Sequence, residues 1–353
     1  MSGSPVRIGL VGYGFGGRTF HAPLIASSPG LDLVGVVTTS EGRVAQLAGD
    51  LPGVPAVGSL AELVGLGAEA VAISTATGSH TEVAAEAIAL GLHLVVDKPL
   101  GVDAASAAAT VAAAQAAGVV LSVYQNRRWD SDFLTVKRLL AEGTLGDVHR
   151  FESRVERWSP VADPTTWKAG ATPEQGGGLR LDLLTHLVDQ AVQLFGEVAT
   201  VYAELDARRP GSASDDDAFA SLLHVSGVRS QLMASKVTGD TTRRIRVLGS
   251  QGAYVVGGFD RQEAALLAGR TPATDGPAWG IESEPAWGSL HRGDEITKVP
   301  SERGRWDTFY PAFAAAVRGD GAVPVDPRDA VRVLEILDAA LVSSREQRVV
   351  DLR

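Results

Sequence analysis

Three ionisable side chains stand where apolar residues dominate. In "RLDLLTHLVDQ", residues 180–190, Asp182 and His186 lie four positions apart among Leu181, Leu183, Leu184, Leu187 and Val188. On a helix this spacing is one turn, so the pair shares a face, and Leu184, Leu187, Val188 and Ala191 supply a separate apolar one. A histidine with an ordinary pKa of ~6.5 suits proton transfer near working pH. The competing reading is a surface stripe or a satisfied internal pair. Gly176, Gly177 and Gly178 precede the segment and are expected to leave room for a ligand at its first turns. The third group is Lys98 in "VVDKPLG". It ends an apolar run, and open α/β sheets bind ligands beyond the carboxyl ends of their strands. A lysine there can hold a substrate hydroxyl and lower neighbouring pKa values by its charge. Taken alone, a water-exposed lysine is the plainer reading, and Pro99 stiffens the turn.

A phosphate cradle stands upstream. "GLVGYGFGG" sets Gly12, Gly14 and Gly17 in GxGxxG spacing directly after an apolar run. The three suit a tight turn, a close approach of pyrophosphate and close helix packing, with the helix N–H groups offered to the anion. Phe15 and Gly16 complete the loop as cofactor candidates. At the second strand's tip, Thr38, Ser40 and Arg43 suit the 2′-phosphate of NADP, and no acid occupies the tip itself. NADP is therefore favoured, with Glu41 as the counter-indication that keeps NAD open. Thr75, Thr77 and His80 in "STATGSH" are candidates for the nicotinamide side, with packing an equal alternative for His80.

These residues need elements to carry them. "VRIGLV" (6–11), "LVGVVT" (33–38), "AVAIST" (70–75), "HLVVD" (93–97) and "VVLSVY" (119–124) are short, β-branched runs without polar alternation. Such runs form strands buried on both faces of a parallel sheet. Helix-like segments such as 79–91 separate them, predicting a doubly wound α/β (Rossmann) domain over 1–123. From 124 to 353 an α+β domain with a mostly antiparallel open sheet is expected. Its strands lie near 148–158, 200–209, 218–225, 229–237 and 243–250, and its helices near 180–195, 306–319 and 327–347. Residues 268–294 read as a long irregular excursion. Trp158 and Trp167 favour core over sugar platform, and the acids of "SDDDAF" (214–219) read as a solvated strand entry.

Composition narrows the partners. The chain has 353 residues, a net charge of −10 and no cysteine. Two domains fit that length. Without a basic cluster no nucleic-acid surface is expected. Disulfide and thiolate chemistry are excluded. No apolar run of about 18 residues or a signal-like leader occurs, so no membrane contact and a cytoplasmic location are expected. No His/Asp/Glu cluster has metal spacing.

Together the loop Gly12–Gly17, the segment Asp97-Lys98-Pro99 and the pair Asp182…His186 resemble the glucose–fructose oxidoreductase / inositol dehydrogenase / MocA family over essentially the whole chain. Within it, "GYGFGGRTFHAPLI" and "YQNRRWDSDFLTVKRLL" look most like the branch with NADP-dependent scyllo-inositol dehydrogenases. Asp97 departs from that family's glutamate and shortens the acidic side chain beside Lys98. The resemblance implies hydride transfer between NADP(H) and a sugar or cyclitol carbinol. His186 would be the acid/base, Lys98 would hold the oxygen, and Asp182 would orient the substrate or pair with Lys98. It also implies a homodimer or homotetramer. By the same resemblance Gln125, Asn126, Arg127 and Arg128 face the cleft, with Gln125 and Arg127 as cofactor contacts, or they bridge the domains. His21 and Pro23 pack behind the glycine loop, or His21 faces the cleft. Competing functions are a non-catalytic NADP sensor, or a reductase of a dihydrodiol, imine or biliverdin-like pigment. Loops near 158–177 and 268–310 are expected to set specificity.

Overall fold

A computed structural model describes residues 4–163, 170–240 and 244–353. In the first half, β1 (Val6–Val11), β2 (Leu31–Val37), β3 (Ala56–Val57), β4 (Ala70–Ile73), β5 (His93–Asp97) and β6 (Leu121–Tyr124) form one sheet. Their order is β3-β2-β1-β4-β5-β6 and every pairing is parallel. All five expected strands are present. The sixth, β3, is a two-residue edge strand, too short to leave a periodic signal. Ile8, Leu10, Val71, Ile73, Leu94 and Val96 are fully buried because helices cover both faces. The order reverses between β1 and β4, which is where a doubly wound sheet opens its crevice.

Local capping explains the helices that flank this crevice. Asp103 accepts from Ser106 N at 2.7 Å and starts the helix Ala104–Ala117. Gly118 ends it at φ 66°, a left-handed conformation that costs glycine little.

The second sheet holds β7 (Val148–Glu156), β8 (Val198–Asp206), β9 (Asp217–His224), β10 (Arg229–Ser235), β11 (Ile245–Gly249), β12 (Gly252–Val256), β13 (Gly288–Arg292), β14 (Glu295–Val299) and β15 (Val350–Asp351). Its order is β14-β13-β12-β11-β7-β10-β9-β8-β15. Only the β7–β10 pair is parallel; the others are antiparallel. Strands β7, β9 and β10 alternate buried and half-buried residues. One face therefore packs on helices and the other stays open. The segment 268–294 is more ordered than its composition suggests, since it runs through short helical turns into the β13–β14 hairpin.

The helix Pro327–Glu346 packs against both halves, on the helix Ala104–Ala117 and on β8. Its Asp338 accepts Ala104 N at 2.9 Å and the Arg180 guanidinium at 3.2 Å. One carboxylate thus ties a helix start of the parallel-sheet half to the segment that carries Asp182. No helix among the described residues is long and apolar enough to cross a membrane.

Candidate active site

The glycine loop leaves β1 at the crevice. Gly12 takes φ 94°, and a Cβ there would stand 2.5 Å from Ser74 O. A Cβ on Gly17 would stand 2.0 Å from Gly12 O, so that position is closed to larger residues. Gly14 is different, for its missing Cβ meets only the Arg43 guanidinium at 3.9 Å. The first helical bond runs from Arg18 N to Gly14 O at 2.9 Å, so the N–H groups of the preceding first turn point outward. This open, donor-lined cradle fits a dinucleotide pyrophosphate.

Around it, Phe15 is 64% exposed and meets Phe20 edge-on. Thr38 is buried at the β2 tip, whereas Ser40 and Arg43 are exposed where the helix Glu41–Asp50 begins. Ser40 makes no capping bond, and Arg43 has no ion pair among the described residues. Glu41 is exposed in the first helical turn.

Asp182 and His186 do share the Lys98 side of the cleft, though not on one regular helix. Asp182 lies in a π-type turn, Arg180–Leu184, that runs into the helix Thr185–Phe195. Such turns recur at functional sites. Asp215 Oδ2 accepts Arg180 N at 2.7 Å and anchors the turn's start. Lys98 Nζ donates to the main-chain carbonyl of Asp182 and lies 3.3 Å from its Oδ1. His186 is 5% exposed, and its Nδ1 has no hydrogen-bond partner among the described residues. Burial, then the Lys98 and Arg127 charges, hold its pKa well below the ordinary value, against an upward pull from Asp182. This corrects the expectation of an ordinary histidine pKa, since the ring stays a neutral acceptor or donor at neutral pH.

Several other expectations change. His80 is buried with Nδ1 2.8 Å from Pro99 O and Nε2 3.2 Å from Thr75 O. It clamps the Thr75 loop to the Lys98 turn, which is the packing alternative, and does not face the cleft. Thr75 accepts from Ser79 Oγ at 2.8 Å, whereas Thr77 borders the cavity beside Asp182. Arg127 is spent on Asp130 and Glu263, at 3.1 and 3.2 Å, and Arg128 on Asp189 and Asp329. Both arginines bridge elements through these pairs. Gln125 is buried with Oε1 unpartnered among the described residues.

The glycines at 176–178 make room for protein neighbours. Cβ atoms there would collide with Thr77, Ala171 O and Asp215 respectively. Their backbone nevertheless lines a cavity with Thr77, Asp182, Arg209, Ser212 and Lys236. Trp158 is 64% exposed, not core, and Trp167 lies outside the described residues. Asp216 is buried and holds Arg209 at 2.9 Å, and Asp215 lines the cavity, so of the 214–219 acids only Asp217, 37% exposed, fits a solvated strand entry. Among the described residues no three His, Cys, Asp or Glu side chains could hold a metal.

The residue the sequence assigned least clearly is His21. It is fully buried in a second π-type turn, Gly17–His21, and its ring lies 4.5 Å from Tyr124. Nδ1 stands 2.5 Å from Tyr310 Oη, and Nε2 faces Asp97 Oδ2 at 3.4 Å. Asp97 Oδ1 accepts Lys98 N at 2.8 Å, and its Oδ2 accepts Ser74 Oγ at 3.2 Å. Burial alone would raise the Asp97 pKa, but the His21 contact and the Lys98 charge outweigh it and hold the value at about 2. No spacing signal links residues 21, 97 and 310.

Comparison with known proteins agrees with this architecture. A model of an oxidoreductase family's NAD-binding Rossmann fold matches residues 6–125, and one of the same family's C-terminal alpha/beta domain matches 137–352. An uncharacterized oxidoreductase, YdgJ, of Escherichia coli K12 is 38% identical, with 97% of each chain covered. The scyllo-inositol 2-dehydrogenase (NADP(+)) IolW of Bacillus subtilis 168 is 32% identical, covering 98% of this chain and 96% of that one. The solved structure of a putative oxidoreductase, yvaA, from Bacillus subtilis superimposes with a TM-score of 0.91 at 30% identity, over 99% of both chains.

Proposed function

We propose, for a chain that belongs to the Gfo/Idh/MocA oxidoreductase family, that it oxidises a secondary alcohol of a sugar or cyclitol, or reduces the matching ketone, with NADP(H). The observation that carries this reading is the meeting of Lys98, from the parallel-sheet half, with Asp182, next to the buried and uncommitted His186. When bound, the nicotinamide cofactor supplies the two-electron exchange. The chain's own residues handle the proton and the oxygen. His186, kept neutral by burial and by Lys98, accepts the hydroxyl proton in oxidation and returns it in reduction. Lys98 stabilises the charge that develops on the same oxygen. Asp182 fixes the ammonium group and a neighbouring substrate hydroxyl.

For the cofactor, a nicotinamide dinucleotide follows from the family. NADP is favoured by Arg43, which stands over Gly14 without a carboxylate partner among the described residues. Glu41 beside it is the reason to measure NAD in parallel. The similarity to IolW favours an inositol-like polyol. Assembly into a homodimer or homotetramer through the open face of the second sheet is part of the proposal. A sensor without turnover would not need Lys98, Asp182 and His186 together, so the enzyme reading is preferred.

The test follows nicotinamide absorbance with NADP and with NAD against a panel of inositols, aldoses and keto-sugars. Turnover of a polyol with NADP is expected. Tight dinucleotide binding with no turnover across the panel would replace this reading by the sensor.

A further inference from the structure

A carboxylate beside a phosphate cradle is an electrostatic problem. Asp97 Oδ2 stands 3.2 Å from where a Cβ on Gly16 would lie, directly under the loop that offers its N–H groups to an anion. Its ionised form repels any phosphate drawn to that loop. The chain cannot simply discard the acid, because Oδ1 accepts the Lys98 main-chain N–H and so seats the lysine.

His21, at the end of the turn that follows Gly16, meets Oδ2, the oxygen under the loop. Its Nε2 is buried and faces Asp97 Oδ2 at 3.4 Å, with no hydrogen bond to any other described residue. That is a polar contact longer than a strong hydrogen bond. The opposite ring nitrogen, Nδ1, meets the Tyr310 hydroxyl at 2.5 Å. With Tyr310 donating to Nδ1, the ring's proton sits on Nε2 and points at the carboxylate. Tyr310 comes from the helix Phe309–Val317, so a distant part of the chain orients the ring.

We propose that His21, oriented by Tyr310, is a positioning residue that holds the Asp97 oxygen lying under the phosphate cradle and offsets its repulsion there, while leaving the other oxygen to seat Lys98. The proposal rests on the dinucleotide reading given above. It also assigns a role to the aspartate that stands in place of the family's glutamate, since the short side chain is the one paired inward.

NADPH fluorescence titration and thermal melting of the full chain test it, on the wild type, His21→Asn, His21→Gln, Asp97→Asn and the double variants. Glutamine carries its amide nitrogen about as far out as Nε2, whereas asparagine stops near Nδ1. His21→Asn is expected to weaken NADPH binding about tenfold, within the usual range for coupled neighbours. His21→Gln is expected to stay within about threefold, and the His21→Asn loss is expected to fall below about twofold in the Asp97→Asn background. An undiminished loss in that background overturns the proposal. So do equal losses in His21→Asn and His21→Gln that track equal falls in melting temperature. If His21→Asn does not fold, Tyr310→Phe takes its place, and its smaller loss must likewise vanish with Asp97→Asn. Melting without ligand reads the same cycle. A chain that binds neither NADPH nor NADH but keeps the His21–Asp97 coupling refutes the dinucleotide reading, whereas binding with additive effects refutes the pairing.

Discussion

His80 and His186 are both buried, and burial lowers the pKa of each. They differ in what surrounds the ring. Both nitrogens of His80 face main-chain carbonyls, and the nearby Asp97 pulls its pKa upward. His186 has an unpartnered Nδ1, and its strongest charged neighbour is Lys98, which pulls downward. Two buried histidines with lowered pKa values are therefore told apart by what their nitrogens bond, and not by burial or the shift. One ring holds two loops together, and the other is left a hydrogen bond short.

The largest effect that bears on this contrast is expected from Lys98→Met. It removes the charge shared by substrate oxygen and His186, so kcat/KM on the accepted polyol should fall by about 10³-fold or more. Near-wild-type turnover would end the oxygen-holding role. Next comes His186→Asn, which should lower kcat by about 10²-fold or more while melting changes little. Its counterpart, His80→Asn, should show the reverse: a stability loss of about 1–3 kcal/mol from stranded buried carbonyls, with kcat within about tenfold of wild type. If His80→Asn is the more damaging to kcat, the two roles have been exchanged. Asp182→Asn keeps the main-chain carbonyl that binds Lys98, so a smaller loss of about tenfold is expected, mostly in KM.

The pH dependence is the finest discriminator. A folded-state pKa below the unfolded one means that the unfolded chain binds protons first as pH drops. For His80 and His186 this stability is present above about pH 6.5 and is lost as pH falls below it. The fall in melting temperature between neutral and mildly acidic pH should be shallower in His80→Asn. For catalysis, the acid limb of polyol oxidation should lie below the ordinary histidine range. A limb at or above it would mean that another group accepts the proton.

The sequence made the parallel sheet and its glycine loop readable because both obey local rules. Strands such as Val6–Val11 are apolar on two faces, and Gly12, Gly14 and Gly17 are set by backbone clearance within a few residues. Lys98, Asp182 and His186 were legible as types because polar groups stood out in apolar runs. What escaped was long-range. The contacts of His21 with Asp97 and Tyr310 join three distant segments. The Asp215 anchor of the Arg180 turn lies 35 residues from its partner. The bridging partners of Arg127 were hidden because a guanidinium shows nothing of its partner in sequence, and Glu263 is 136 residues away. Strands β12 and β13, five residues each, carry too little alternation to stand out between glycine-rich turns. Trp158, two residues past the end of β7 and bridged to Val237, shows that aromatic size alone does not predict burial.

The parallel pairing of β7 with β10 has a consequence for how this cleft can diversify. Glu156 and Ser235 are register partners at the ends of two central strands that run the same way, so the chain leaves the middle of the sheet twice at the same end. Beyond that end, Ser159 N bonds Lys236 O at 2.7 Å, and Lys236 and Arg209 border the cavity beside Asp182. Insertions and exchanges after residues 156 and 235 would then retune substrate choice as one unit, like two fingers of a single hand. The Lys98 side of the cleft, anchored in the other sheet, would keep its chemistry unchanged.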